Sequence, residues 1–314
     1  MANQYESSRG YVIHPERAKN PRETLTKYYA DRAILISNLS ILRQPPNSRQ
    51  DSTIGIGTVK VNDSIIDGSI YPYSFPPDVS VQPGIELHVP FSMTPEHTRD
   101  YDPSTPVVLP NRLLHIANDL LGDAERIHTN NPSIVSHIQG LGSEKFFRFI
   151  FPDQKPEFVI KILGREDNIV VSDIDIMLGD TKAASFRQLR TRFAEQAHAD
   201  QKQLEAAQLF HAMQQTAGVI ALDGLEQDHK VIFQGAKNAE FSSKFPLLHG
   251  EKIYIIAVVK RRGARNEHIV ADAHAFLSYD PDPVATITGM RGRLMGPQQF
   301  QESFERQKFP SWQI

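Results

Sequence analysis

Apolar and polar side chains alternate from residue 170 to 178, the period of a β-strand, so that Val171, Asp173, Asp175 and Met177 share one face and Ser172, Ile174, Ile176 and Leu178 the other. Short apolar runs at 33–36, 54–61, 65–73 and 85–91, broken by Pro45, Pro46, Pro76, Pro77, Pro83 and Gly84, predict strands and loops. From Pro110 the pattern changes. Leu113, Leu114, Ala117, Leu120 and Leu121 predict a helix that Gly122 closes. Runs at 146–151 and 158–163 predict paired strands around the turn at 152–156. Between 183 and 217, Phe186, Leu189, Phe193, Ala197, Leu204, Ala207, Phe210 and Met213 recur at helical spacing, which predicts one long helix or two. Further strands are expected at 231–233, 252–259 and 268–277. No internal repeat or low-complexity tract is apparent.

These elements predict an α+β or mixed α/β protein. Residues 1–20 read as a flexible N-terminus and 21–105 as a β- and loop-rich region. Residues 106–314 read as an α/β domain, a mixed sheet backed by the long helix, reached through the proline-rich stretch around 95–110.

Composition narrows the partners. The 314 residues carry 34 basic and 37 acidic side chains, a formal net charge of −3, so no global field favours nucleic acid. The absence of cysteine excludes disulfides, thiolate metal sites and a cysteine nucleophile. No apolar run reaches the roughly 18 residues of a membrane span and residues 1–20 show no cleavable signal. The expectation is a cytoplasmic protein, or one exported or virus-encoded into a host cytosol.

Asp173 and Asp175 are the chemically pointed feature. Two carboxylates on one face of an apolar strand need partners, and a divalent cation satisfies both at once. Ser172, Asp173, Ile174, Asp175 and Ile176 resemble the Asp-x-Asp strand of the nucleotidyltransferase superfamily and of bacterial toxin adenylyl cyclases, and a Gly-Ser pair stands at Gly142 and Ser143, about 30 residues earlier. The resemblance implies magnesium-dependent nucleotidyl or phosphoryl transfer from a nucleoside triphosphate. Asp173 and Asp175 would then be metal ligands with Asp272 as the third, on a strand face shared with His268 and His274, which would act as bases. Gly142, Ser143, Lys161, Arg291 and Arg293 would contact phosphate.

A kinase-like reading of Gly140, Gly142, Lys161 and Asp200 fails, because too few residues separate Lys161 from Asp200 for the intervening lobe. The alternative class is non-enzymatic: a coat or scaffold subunit that self-assembles, or an adaptor effector binding another protein. It rests on the strand-and-loop first half and on the aromatic tail with Phe304, Phe309, Trp312 and Ile314.

Overall fold

The computed structural model describes residues 34–43, 52–61, 75, 79–93, 107–108, 110–195, 203–222, 225, 229–245, 247–248, 253–262, 267–278 and 280–308. In chain order these form β1 (Ile34–Arg43), β2 (Ser52–Val61), β3 (Glu86–Pro90), α1 (Pro110–Thr129), β4 (Ile134–Leu141), β5 (Ser143–Phe146), β6 (Glu157–Glu166), β7 (Ile169–Leu178) and β8 (Thr181–Glu195). The second run is β9 (Gln203–Leu204), α2 (Ala206–Leu222), β10 (Lys230–Ala236), β11 (Asn238–Phe241), β12 (Leu247–Leu248), β13 (Ile253–Arg262), β14 (His268–Leu277), β15 (Pro283–Met295) and α3 (Pro297–Lys308). All but β9 and β12 join one 13-stranded sheet, antiparallel at every pairing. The fold is therefore α+β, and the mixed sheet expected for residues 106–314 is corrected: no pairing in the sheet is parallel, and β6–β7–β8 and β13–β14–β15 are each antiparallel neighbours in chain order.

The sheet is built twice. After α1, strands β4 and β5 both pair with β8, β8 pairs with β7, and β7 with β6. After α2, strands β10 and β11 both pair with β15, β15 pairs with β14, and β14 with β13. The halves join reciprocally, β5 to β10 and β4 to β11. An outer strand completes each half, β3 on β6 and the β1–β2 hairpin on β13. Strand pairing thus uncovers a repeat that the sequence pattern did not show. In register with it, Leu113, Leu114, His115 and Gly122 of α1 match Leu209, Phe210, His211 and Gly218 of α2.

Both helices lie on one sheet face over a continuous core. In α1 the apolar stripe Leu113, Leu114, Ile116, Ala117, Leu120, Leu121 and Ala124 is buried. The helix does not stop at Gly122 but runs to Thr129. Gly122 is instead a contact point: a Cβ there would lie 2.6 Å from Ser136 Oγ on β4, so its absence lets helix and strand approach. On α2, Gly218 lies against Phe233 and Val231 of β10 in the same way, with looser spacing.

The long helix expected from residue 183 is corrected. Residues 181–195 are strand β8, and α2 begins only at Ala206. Register explains the helical spacing. Ser172 pairs with Leu189 and Ile174 with Phe186, so Arg187 and Gln188 together oppose Asp173 in a β-bulge. The inserted residue puts Phe186 and Leu189 on the same buried face three positions apart, which imitates a helix. Residues 146–151 also differ from expectation. Strand β5 ends at Phe146, and β6 pairs with β3 and β7 instead. The N-terminus at 1–20, read as flexible, and the run expected at 65–73 lie outside the described residues.

The aromatic tail docks on its own chain. Phe300 and Phe304 of α3 form a small second core with Val107 and Phe151, and Phe149 packs edge-on to Phe300 at 6.2 Å. Phe309, Trp312 and Ile314 lie outside the described residues.

Candidate functional site

The Asp-x-Asp strand is β7, and its aspartates face away from the helices. Asp175 accepts hydrogen bonds from Lys182 Nζ at 2.7 Å and Arg187 Nη2 at 2.5 Å. Burial alone would raise its carboxyl, but Lys182 and Arg187 outweigh burial and hold it below the usual carboxylate range. Asp173 accepts the backbone N–H of Gln188 at 2.8 Å, with Arg187 Nε 3.8 Å away. Gln188 has φ +51°, a left-handed conformation created by the bulge, so Asp173 takes an amide that the ladder cannot use.

The other expected site residues divide between two regions. Lys161 is opposite Asp173 across the β6–β7 pair, and Ser143 is opposite Arg187. Gly142 donates its N–H to Arg187 O at 2.9 Å, so these residues do gather around the aspartates. Asp272 does not. It is on β14, five strand spacings from β7, or about 24 Å. There it accepts the N–H of Gly289, φ +63°, at 2.7 Å, in a bulge where Thr288 and Gly289 oppose it. Asp272 is thus the repeat counterpart of Asp173. His274 Nδ1 is 3.2 Å from Thr286 Oγ1, and His268 Nε2 is 3.9 Å from Glu267 Oε1. Arg291 and Arg293 are exposed on β15.

A different set of titratable groups converges where α1, β4 and the start of α2 meet. His115 and Asp119, one turn apart on α1, bring Nε2 and Oδ2 to 3.3 Å, with side chains 14% and 27% exposed. His137 on β4 is buried, with Nδ1 3.7 Å from Glu205 Oε2 and no hydrogen-bond partner. Glu205 caps α2: its N–H donates to Gln208 Oε1 at 2.9 Å and its carbonyl accepts from Leu209 N at 3.2 Å. Burial raises the Asp119 carboxyl, His115 pulls it down, and the Glu205 charge pushes it up again, so the two pairs form one electrostatic cluster.

The frame around this cluster is polar and satisfied. Asn118 Nδ2 donates to Ser136 O and Oγ, each at 3.0 Å, and Ser136 Oγ donates to Asn118 O at 2.9 Å. Thr191 Oγ1 donates to Asn118 Oδ1 at 3.3 Å. These bonds clamp α1 to β4 and β8, which sets the position of His115 and Asp119 against His137. At the matching positions of the other half stand His211, Gln215 and Ile232, with His211 Nε2 2.5 Å from Gln215 Nε2. The fold therefore forms at the equivalent position without the carboxyl or the second histidine. None of the four cluster residues was expected from sequence. The available signals were the i,i+4 His-Asp spacing and the shared Leu-x-His pattern of the two helices.

No family model and no curated protein matches the chain. Solved structures do. A protein assigned as an oleoyl thioesterase in Lactobacillus plantarum aligns at TM-score 0.48 and 9% identity, covering 68% of this chain and 97% of that one. The dehydratase domain from the CurJ module of curacin polyketide synthase aligns at TM-score 0.44 and 14% identity, covering 72% and 97%. An acyl-ACP thioesterase from Bacteroides thetaiotaomicron aligns at TM-score 0.45 and 6% identity, covering 67% and 98%.

The nucleotidyltransferase resemblance and the nucleoside triphosphate partner it implied are corrected by this geometry: the aspartates are taken up by Lys182, Arg187 and a bulge amide, and Asp272 stands on a distant strand. Among the described residues no group of three or more His, Asp or Glu is arranged to hold a metal ion. The coat, scaffold or adaptor alternative is likewise unsupported: β1, β2 and β3, from residues 21–105, are hydrogen-bonded into the same sheet as the rest of the chain. Among the described residues no helix is long and apolar enough to cross a membrane.

Proposed function

We propose that the chain is an acid–base enzyme whose chemistry is carried by His115 and Asp119 with His137 and Glu205. The observation that supports this reading is asymmetry within the repeat. One half carries His115, Asp119 and His137 at its helix–strand junction, with Glu205 reaching in from the cap of α2, and the other half folds with His211, Gln215 and Ile232 at the matching positions, so folding does not demand Asp119 or His137. A half-buried carboxyl raised by burial and by a second carboxylate beside it is costly to keep unless it is used.

Acyl thioesters, the substrates named for several proteins in the comparison, are the first to be offered. In hydrolysis, water attacks the thioester carbonyl while His115 accepts its proton and Asp119 orients the ring. The carbon–sulfur bond then breaks, and the proton passes to the departing thiolate, leaving a carboxylic acid and a thiol. Glu205, beside His137, raises the Asp119 carboxyl by its charge.

The test is a thiol-release assay over a series of acyl chain lengths. His115→Gln and Asp119→Asn are expected to lower kcat/KM by about 10²-fold or more, while His211→Gln, in the equivalent position, keeps it within a few-fold. Absence of turnover on the whole series, or equal rates in wild type and His115→Gln, refutes the assignment.

A further inference from the structure

The reciprocal junctions between the two half-sheets offer an internal comparison. At one, Gly140 of β4 pairs with Glu240 of β11 and with Arg190 of β8. Arg190 Nη2 and Glu240 Oε1 approach to 4.0 Å, so that junction carries an acid and a base. At the other, Gly235 of β10 pairs with Lys145 of β5 and with Arg291 of β15. The repeat places Lys145 where the first junction has Glu240, and Arg291 where it has Arg190. One junction is neutralised and its counterpart is doubly cationic.

The doubly cationic junction is open to solvent. Lys145, Lys237, Arg291 and Arg293 are all exposed, and none has an acidic partner within ion-pair distance among the described residues. Nearby acids are engaged elsewhere: Asp272 with the Gly289 amide, Asp175 with Lys182 and Arg187, and Glu267 beside His268. Glu144 points into the core, where Gln214 donates to it. Gly235 has φ +145°, and a Cβ there would lie 2.1 Å from Glu144 O, so the floor between the two cations is bare backbone. Lys145 and Arg291 stand on strands either side of β10, about 10 Å apart, and Arg293 is about 7 Å further along β15.

We propose that this face, Lys145 and Arg291 across Gly235 with Lys237 and Arg293 at its rim, docks an acidic segment of a partner protein. The array is flat and spread over strands, so one small anion would reach only one or two of the four cations, whereas successive Asp or Glu side chains reach them all. The net charge of −3 supplies no long-range attraction for a polynucleotide, and a short acidic segment matches the extent of the local array. The proposal is independent of the chemistry at His115.

The experiment measures fluorescence anisotropy of a dye-labelled peptide of about ten glutamates against the full chain at two salt concentrations. Binding is expected to weaken as salt rises and to fall at least tenfold in Lys145→Glu. That variant rebuilds the charge pattern already present at Gly140, so it should fold and melt like wild type. Glu240→Lys makes the neutral junction cationic and is expected to add a second bound peptide. Undiminished binding by Lys145→Glu overturns the proposal. So does tighter binding of a labelled oligothymidine at equal salt, or full displacement of the peptide by millimolar pyrophosphate, which would mark a small-anion site.

Discussion

Where a bulge forces a residue to positive φ, its N–H turns out of the strand ladder, and an acceptor on the facing strand must take it or leave it to water. Asp173 does this for Gln188 and Asp272 for Gly289. Both aspartates looked like metal ligands because an acidic side chain on a strand is unusual, yet each has a local structural use. Losing that hydrogen bond is expected to cost about 1–2 kcal/mol, so Asp173→Ala and Asp272→Ala should each lower the urea midpoint, while Asp173→Asn, which keeps a carbonyl oxygen, should lose less. Gln188→Gly is expected to be neutral or stabilising by up to about 1 kcal/mol, since glycine adopts positive φ without a Cβ clash. An unchanged midpoint in both alanine variants would remove the bulge role.

Among the elements, β8 shows how a bulge misleads periodicity. Its buried positions run 183–186, then 189, 191 and 193, and only the last stretch keeps the two-residue period of a regular strand. The short strands at the junction depend most on backbone approach. Strand β5 has four residues and pairs with β10 only at Lys145 and Glu144, so it has little redundancy. Gly235→Ala is therefore expected to cost more than about 2 kcal/mol, read as a clear drop in melting temperature. Gly164→Ala, where an added methyl meets nothing within 4 Å, should change stability by less than about 0.5 kcal/mol. Equal effects at both positions would show that the junction tolerates displacement.

For the whole molecule, the buried carboxyl at the same junction couples stability to pH. Glu144 is 1% exposed, burial pushes it up to about 8, and Gln214 Nε2, donating at 2.9 Å, only partly opposes the rise. In the folded chain it keeps its proton up to about pH 8, whereas the unfolded chain releases it near the ordinary glutamate value of about 4.3. Between those values the folded state binds more protons, so stability is fully present at the acid end and is lost as pH rises, levelling off above about 8. The melting temperature of wild type is expected to fall from pH 5 to 8 by more than that of Glu144→Gln, which lacks the titration. Parallel curves would assign the pH dependence to other groups.

Local periodicity was enough to read the alternation of β7 and β14, the stripe of α1 and the presence of both helix and sheet, because each depends on side chains a few residues apart, whereas the choice between α+β and mixed α/β waited on strand pairing. It also exposed Asp173, Asp175 and Asp272 as residues needing partners, but not which partners. Those were decided by strand register: Arg187 and Gln188 reach Asp175 and Asp173 only through the β7–β8 bulge, and Gly289 reaches Asp272 only through its counterpart. The repeat was illegible because little more than a Leu-x-His and a glycine survive between α1 and α2, while the doubled pairing order is a relation among distant strands. The same holds for the candidate site. His115 and Asp119 are local neighbours, but His137 and Glu205 come from β4 and the cap of α2, and only the packing of those elements on one sheet makes four separate residues a single cluster.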